Sequence, residues 1–235
     1  MNPARLEVRT LSDRLVEVVR DIILSGAIPS DEPIRQDALA AELNVSKIPL
    51  REALARLEQD GLVVSHPHRG FFVRPMSPEE AEEIYALRLK LEPDAAARAS
   101  LMASDEERAH ARQALALLDI DAAAHRPNVG ARNRAFHLAL VTPGVGVVTS
   151  SIIARLHILA DRYVRKHLEP KGRFLVAEAE HHEILNAWHN KREEKVRKLI
   201  AQHIERTLTD LRAELRVTPA KPKVARARKV SRPRK

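Results

Sequence analysis

The stretch VSKIPLREALARLEQDGLVV, Val45 to Val64, decides how the chain is read. Ser46 suits a helix N-cap because its hydroxyl can accept a free first-turn N–H, and Pro49 falls where a missing N–H costs little, so a helix is expected from Lys47. Leu50, Ala53, Leu54 and Leu57 recur at helical spacing and mark a buried face, with Lys47, Arg51 and Ala55 on the opposite, basic and open face. Asp60-Gly61 ends the helix with a residue that tolerates positive φ. The segments that follow, LVV, then HPHRG, then FFV, predict two short strands joined by a Pro/Gly turn, which is a wing beside a helix.

Upstream, Leu11, Leu15, Val18, Val19, Ile22 and Ile23 predict a supporting helix stopped by Gly26. A Pro/Ser/Asp turn and a short helix with Leu39 and Leu43 inward come next. Asn44 then serves the tight turn into the 47–59 helix, since Asn tolerates the left-handed region.

Leu11 to Val73 therefore resembles the winged helix-turn-helix of GntR-type transcription regulators, whose usual wording is close to VSRTPVREALRRLEAEGLV. The resemblance implies that helix 47–59 enters the DNA major groove, with Ser46, Lys47 and Arg51 at its DNA-facing end and Arg69 and Gly70 at a wing tip in the minor groove. Arg and Lys can donate to guanine O6 and N7, and glycine lets backbone approach a phosphate closely. Two positions depart from the usual wording. Lys47 stands where Arg is more common, giving a point charge for a bidentate fork, and Ile48 replaces a Thr that could bond a phosphate.

At 235 residues and 44% hydrophobic content the chain can build about two domains, with aliphatic cores because only 3% is aromatic. It has no cysteine, which removes disulfides and thiolate nucleophiles and suits a reducing cytoplasm. Charges interrupt every apolar segment before the roughly 20 residues needed to span a bilayer, so no membrane association is expected, and the start lacks a signal-peptide run. The net charge of +8 equals the eight Lys and Arg after Arg216, in VTPAKPKVARARKVSRPRK. Residues 217–235 thus read as a disordered basic tail, either solubilising or in sequence-independent contact with DNA phosphates.

Pro75 and Pro78 mark a boundary that Ser77 can cap. The expected organisation is a winged domain over 1–74, a linker over 75–78, an all-α antiparallel bundle over 79–216, and the tail. Six amphipathic helices are predicted, over 78–103, 104–124, 128–141, 145–168, 173–190 and 192–215, with a kink at Pro93 in the first. Asn133 and His137 share a helix face at i,i+4. If the last two helices form a hairpin centred on residue 192, His181 and His203 are equidistant from it and can face one another. Three imidazoles and an amide oxygen converging in a bundle can hold a first-row divalent metal ion such as zinc or nickel; the alternative is hydrogen-bonded core histidines.

RLKLEPDAAARA from Arg88, NRAFH from Asn133 and EHHEIL from Glu180, with QHI beyond, resemble the FCD domain of the FadR-type GntR branch. That resemblance implies the same four metal positions, Asn133, His137, His181 and His203, with Asn where many relatives have Asp. It also places Arg88 at the mouth of an effector pocket, where it would clamp the carboxylate of a small organic acid or sugar acid. The other reading pairs Arg88 with Glu92 on an exposed helix face. His157 and Arg162, on the same stretch of the fourth bundle helix, could line the pocket but are not assigned to it. His66 and His68 flank Pro67 in the wing and read as a solvated turn, with an approach to phosphate the alternative, and His110, His125, His167 and His189 read as surface residues.

The function expected is a ligand-responsive, DNA-binding transcription repressor, not an enzyme, working in the bacterial cytoplasm at the nucleoid. A homodimer is expected because one recognition helix contacts too few bases, whereas two related by a two-fold axis read an inverted repeat in double-stranded DNA. A metal-dependent enzyme and a tail-driven architectural DNA-binding protein are the alternatives.

Overall fold

The computed structural model describes residues 10–30, 32–124, 129–165 and 173–217. The basic tail, Asp31 of the Ser30-Asp31 turn, His125 and His167 lie outside them.

Helix α1 (Leu11–Leu24) opens on a capping box: the Thr10 hydroxyl accepts from Asp13 N–H, and Thr10 N–H donates to the Asp13 carboxylate at 2.7 Å. Its end is set by Gly26, which takes φ +76° where other residues would be strained. Helix α2 (Gln36–Glu42) leads through Asn44, at φ 51°, into α3 (Lys47–Gln59). Ser46 occupies the N-cap of α3 with extended backbone, but its hydroxyl caps no N–H, contrary to expectation. Leu50, Ala53, Leu54 and Leu57 are completely buried against Leu15, Val19 and Ile23 of α1. Strands β1 (Val63–His66) and β2 (Gly70–Val73) pair antiparallel in the register Val63↔Val73 and His66↔Gly70, forming the wing.

The second core belongs to six further helices: α4 (Pro78–Met102), α5 (Asp105–Ala123), α6 (Val129–Val141), α7 (Val147–Tyr163), α8 (Arg173–His189) and α9 (Glu193–Val217). These agree closely with the predicted segments, and among the described residues of this part there is no strand. Ser77 caps α4 by accepting from Glu80 N–H, and Ser104 closes a capping box at α5. Helix α4 runs on through the buried Pro93. Around it sit Ala95, Ala96, Ala97 and Ala99, all fully buried, small enough for neighbouring backbone to come very close. Trp188, the chain's single tryptophan, is fully buried and donates to the Leu140 carbonyl at 3.1 Å. Among the described residues no helix is long and apolar enough to cross a membrane.

Helix α7 joins the two cores. Ile158 packs against the winged core, and Gly61 lies against Leu159 and Arg155. Tyr163 Oη donates to the Ser77 carbonyl at 3.0 Å, and the Arg162 guanidinium donates to the Arg74 carbonyl. Arg162, whose place relative to the cavity was open in the sequence, therefore secures the domain boundary.

Among the described glycines the tightest approach of neighbouring backbone is at Gly144, in the 3-10 turn Thr142–Gly144, where an added Cβ would sit 2.1 Å from the Ala95 carbonyl oxygen and 2.7 Å from the Ala99 nitrogen. Gly144→Ala must push that turn off α4. The expected cost is about 1–3 kcal/mol, measured as a lowered urea midpoint followed by Trp188 fluorescence; an unchanged midpoint would show that the turn yields freely.

Candidate functional site

Two sets of residues carry chemistry. The first is the outer face of α3 with the wing tip. Ser46, Lys47 and Arg51 are all exposed at the start of α3, and Lys47 is ion-paired with Asp37 of α2. Arg69 is exposed at the wing turn with its guanidinium 5.3 Å from the Phe72 ring centroid, and Gly70 holds φ +82°. His66 packs edge-on against Phe72 at 5.1 Å, so it supports the wing in addition to lining its surface.

The second is a cavity of about 740 Å³, counting its open mouth, inside the bundle. Arg88, Asn133, His137, His181, His203 and Thr207 line its polar side, and Leu118, Val129 and Val164 are among its apolar walls. Asn133 and His137 reach it from α6, His181 from α8 and His203 from α9, the last two across a hairpin turned by Lys191 at φ 56°. The expected convergence is present. The His181 and His203 ring centroids are 4.9 Å apart, and each lies 5.0–5.2 Å from that of His137. A ligand nitrogen from each of these three buried residues lies within 4.8 Å of the other two.

The donor set fits a first-row divalent ion. His203 Nδ1 is 2.7 Å from the Glu180 carboxylate, whose other oxygen accepts from Arg206 at 2.8 Å. A carboxylate on one ring nitrogen fixes the tautomer and leaves Nε2 as the ligand atom. His137 Nε2 is buried without a hydrogen-bond partner among the described residues. Burial, then the neighbouring His203, His181 and His157, push the His137 pKa well below its ordinary value, so this imidazole is neutral and its lone pair available.

Arg88 lines this cavity and is also paired with Glu92. It pairs with Glu92 through Nε at 2.6 Å and Nη2 at 3.3 Å, yet the pair is buried, with Arg88 5% and Glu92 0% exposed. The helix face expected to be exposed is thus interior. Its guanidinium also lies 5.1 Å from the Tyr85 ring centroid. His157, set aside in the sequence, belongs here too: its Nε2 is 3.2 Å from Glu92 Oε1, and its ring is 5.3 Å from that of His137. Helical spacing marked Arg88 and Glu92 as a pair, but nothing local marks His157, whose neighbourhood is made by α7 crossing α4. Glu180 was legible only as part of EHHEIL.

On the opposite wall Asp161 is buried and accepts from Arg134 at 3.0 Å; burial raises its pKa despite Arg165 and Arg134 nearby. His182 Nε2, exposed, lies 3.1 Å from Oδ2 of the half-buried Asp119, beside the exposed Glu178. His110 and His189 are exposed as expected.

Burial alone would raise the Glu92 pKa, but the Arg88 guanidinium and His157 outweigh it and hold the carboxyl at about 2, against an ordinary 4.5. A depressed carboxyl contributes stability that is present above pH 4.5 and lost as the pH falls towards 2. Glu92→Gln should therefore flatten acid unfolding over that window. It should also cost about 3–5 kcal/mol at neutral pH by leaving Arg88 buried and uncompensated. Trp188 fluorescence reads both; an acid transition that keeps its shape would assign that sensitivity to other groups.

Comparison with known proteins follows the same division. Residues 11–73 match the bacterial regulatory proteins of the gntR family, and residues 83–206 match the FCD domain. The HTH-type transcriptional regulator BphR of Paraburkholderia xenovorans LB400 is 27% identical over 215 residues, 87% of this chain and 86% of that one. The HTH-type transcriptional repressor RspR of Escherichia coli K12 is 26% identical over 97 residues, 41% of this chain and 42% of that one. Regulators of 34%, 41% and 34% identity align over only 84, 76 and 74 residues, so this chain spans about half or less of their length. A GntR transcriptional regulator structure from Rhodococcus sp. RHA1 superposes with a TM-score of 0.72 at 23% identity, covering 86% of this chain and 97% of that one, and so shares the fold. The chain belongs to the GntR family of bacterial transcription regulators, with a winged helix-turn-helix followed by an FCD domain.

Proposed function

We propose that the protein is a homodimeric repressor that binds an inverted-repeat operator in double-stranded DNA through residues 1–74 and senses a small organic acid or sugar acid through residues 79–216, in the bacterial cytoplasm at the nucleoid. Residues 75–78 are the linker and 217–235 an auxiliary basic tail. The observation that carries this reading is the convergence of three buried imidazoles and Arg88 on one cavity, in a chain whose first domain is of DNA-reading type.

In this reading Asn133, His137, His181 and His203 hold a divalent metal ion, zinc or nickel, which supplies a Lewis-acidic anchor for an anion. All four protein ligands are neutral, so an acidic effector balances the ion's charge. Glu92 already occupies two N–H groups of Arg88, and the remainder of the fork faces the effector carboxylate. On the DNA side, Lys47 and Arg51 address base edges, Ser46 the backbone, and Arg69 with Gly70 the minor groove.

Helix α7 is the coupling element. His157 lies 3.2 Å from Glu92, the ion-pair partner of the cavity-lining Arg88, and the residues that follow it, Ile158, Leu159 and Arg162, contact the winged domain. Any change in the Arg88–Glu92–His157 contacts on effector binding thus bears on a helix that also fixes the DNA-reading domain. By linkage, effector and operator must alter each other's affinity by the same factor.

Metal-stripped protein titrated with zinc or nickel should bind one equivalent per chain and lose it in His137→Ala. Glu180→Gln should weaken it about 10–100-fold by freeing the His203 tautomer, and Asn133→Asp should tighten it by adding a carboxylate. A protein that takes up no metal removes this part of the reading. With a carboxylate panel, Arg88→Lys, which keeps a cation beside Glu92 but not the fork, should abolish effector binding; retained affinity would take Arg88 out of the site.

Removing residues 217–235 deletes eight positive charges. The fall of operator affinity with salt should become shallower, and an unchanged slope would show that the tail does not touch DNA.

A further inference from the structure

Ile48 is 72% exposed in the first turn of α3, a branched aliphatic side chain held in water. It contributes nothing to the core, which takes Leu50, Ala53, Leu54 and Leu57 from the other side of the helix. At 3.6 residues per turn Ile48 and Ala55 project within about 20° of each other, opposite that buried face. The flanks differ. On one side Glu52 accepts from Ser12 at 2.6 Å and Arg56 pairs with Asp13, so α1 occupies them. On the other, Lys47 and Arg51 are exposed. The centre of the open strip is therefore apolar, with Ile48 its only large member among the described residues.

In the major groove, bases present hydrogen-bond donors and acceptors together with one apolar feature, the C5-methyl of thymine. Isoleucine offers no donor or acceptor. Placing it against any other base edge would desolvate polar atoms without return, whereas against a thymine methyl both apolar surfaces leave water. We propose that Ile48 packs on the C5-methyl of a thymine at one fixed position in each operator half-site, so that this position is read by its methyl group and not by hydrogen bonds. The inference rests on α3 being the helix that enters the groove. It also gives a physical role to the Ile that stands where the family's usual wording has Thr: phosphate bonding is exchanged for methyl recognition.

The test uses full-length protein and an operator obtained by selection from random DNA. Each thymine is replaced in turn by uracil, which removes the methyl and nothing else. Wild-type affinity should fall about fourfold per half-site at a single position, the effect of one buried methyl-sized group, and remain unchanged at the others. Ile48→Ser should bind the thymine and uracil operators equally, with an unaltered melting temperature because the side chain is exposed. Specific binding that Arg51→Ala weakens but no uracil substitution affects would overturn the Ile48 proposal and leave the groove reading intact. Uracil sensitivity that persists in Ile48→Ser would overturn it as well. Failure to select any shared sequence would remove both the proposal and the reading beneath it.

Discussion

A guanidinium buried beside a cluster of imidazoles is tolerable only with a counter-charge at hydrogen-bond distance, and Glu92 supplies it to Arg88 from one turn further along α4. The arrangement orders much of what surrounds it. Because the carboxylate stays ionised, it can engage His157 as well as Arg88, which ties α7 to α4. Burial, the neighbouring imidazoles and the Arg88 charge together keep His137 uncharged. A cavity wall that carries Arg88 and the neutral imidazole of His137 offers one group for an anion and one for a cation.

Small side chains make that interior possible. The fully buried alanines of α4 let the 142–144 turn and its neighbours approach closely, and with only 3% aromatic residues the bundle has few bulky groups with which to fill space. What remains open is lined by functional groups, since Asn133, His137, His181 and His203 project from three different helices into the same volume. Helix α7 passes this volume on one side and the winged core on the other. A single helix therefore contacts both the winged core and the bundle.

The winged domain shows a parallel division of labour. Four fully buried residues on one face of α3 secure the helix to α1, while Glu52 and Arg56 lock its flank, and the strip that is left is mixed: two cations and one exposed isoleucine. Such a strip combines charge, which favours any DNA, with an apolar contact that distinguishes one base from another.

Local pattern was sufficient for much of this. The periodicity of Leu50, Leu54 and Leu57, the Gly61 stop and the wing turn at Gly70 identified α3 and its hairpin, and amphipathic spacing located the bundle helices to within a few residues, because helix and hairpin signals are written within a turn or two of sequence. The pairing of His181 with His203 was accessible for the same reason, since a hairpin has a single centre. Burial of Arg88 and Glu92, the recruitment of His157, the Glu180 contact that sets the His203 tautomer and the crossing of α7 between two cores were decided by tertiary structure. Each depends on which helices pack together and at what depth, and a residue's own neighbours in sequence say whether it lies on a face, not what that face will meet.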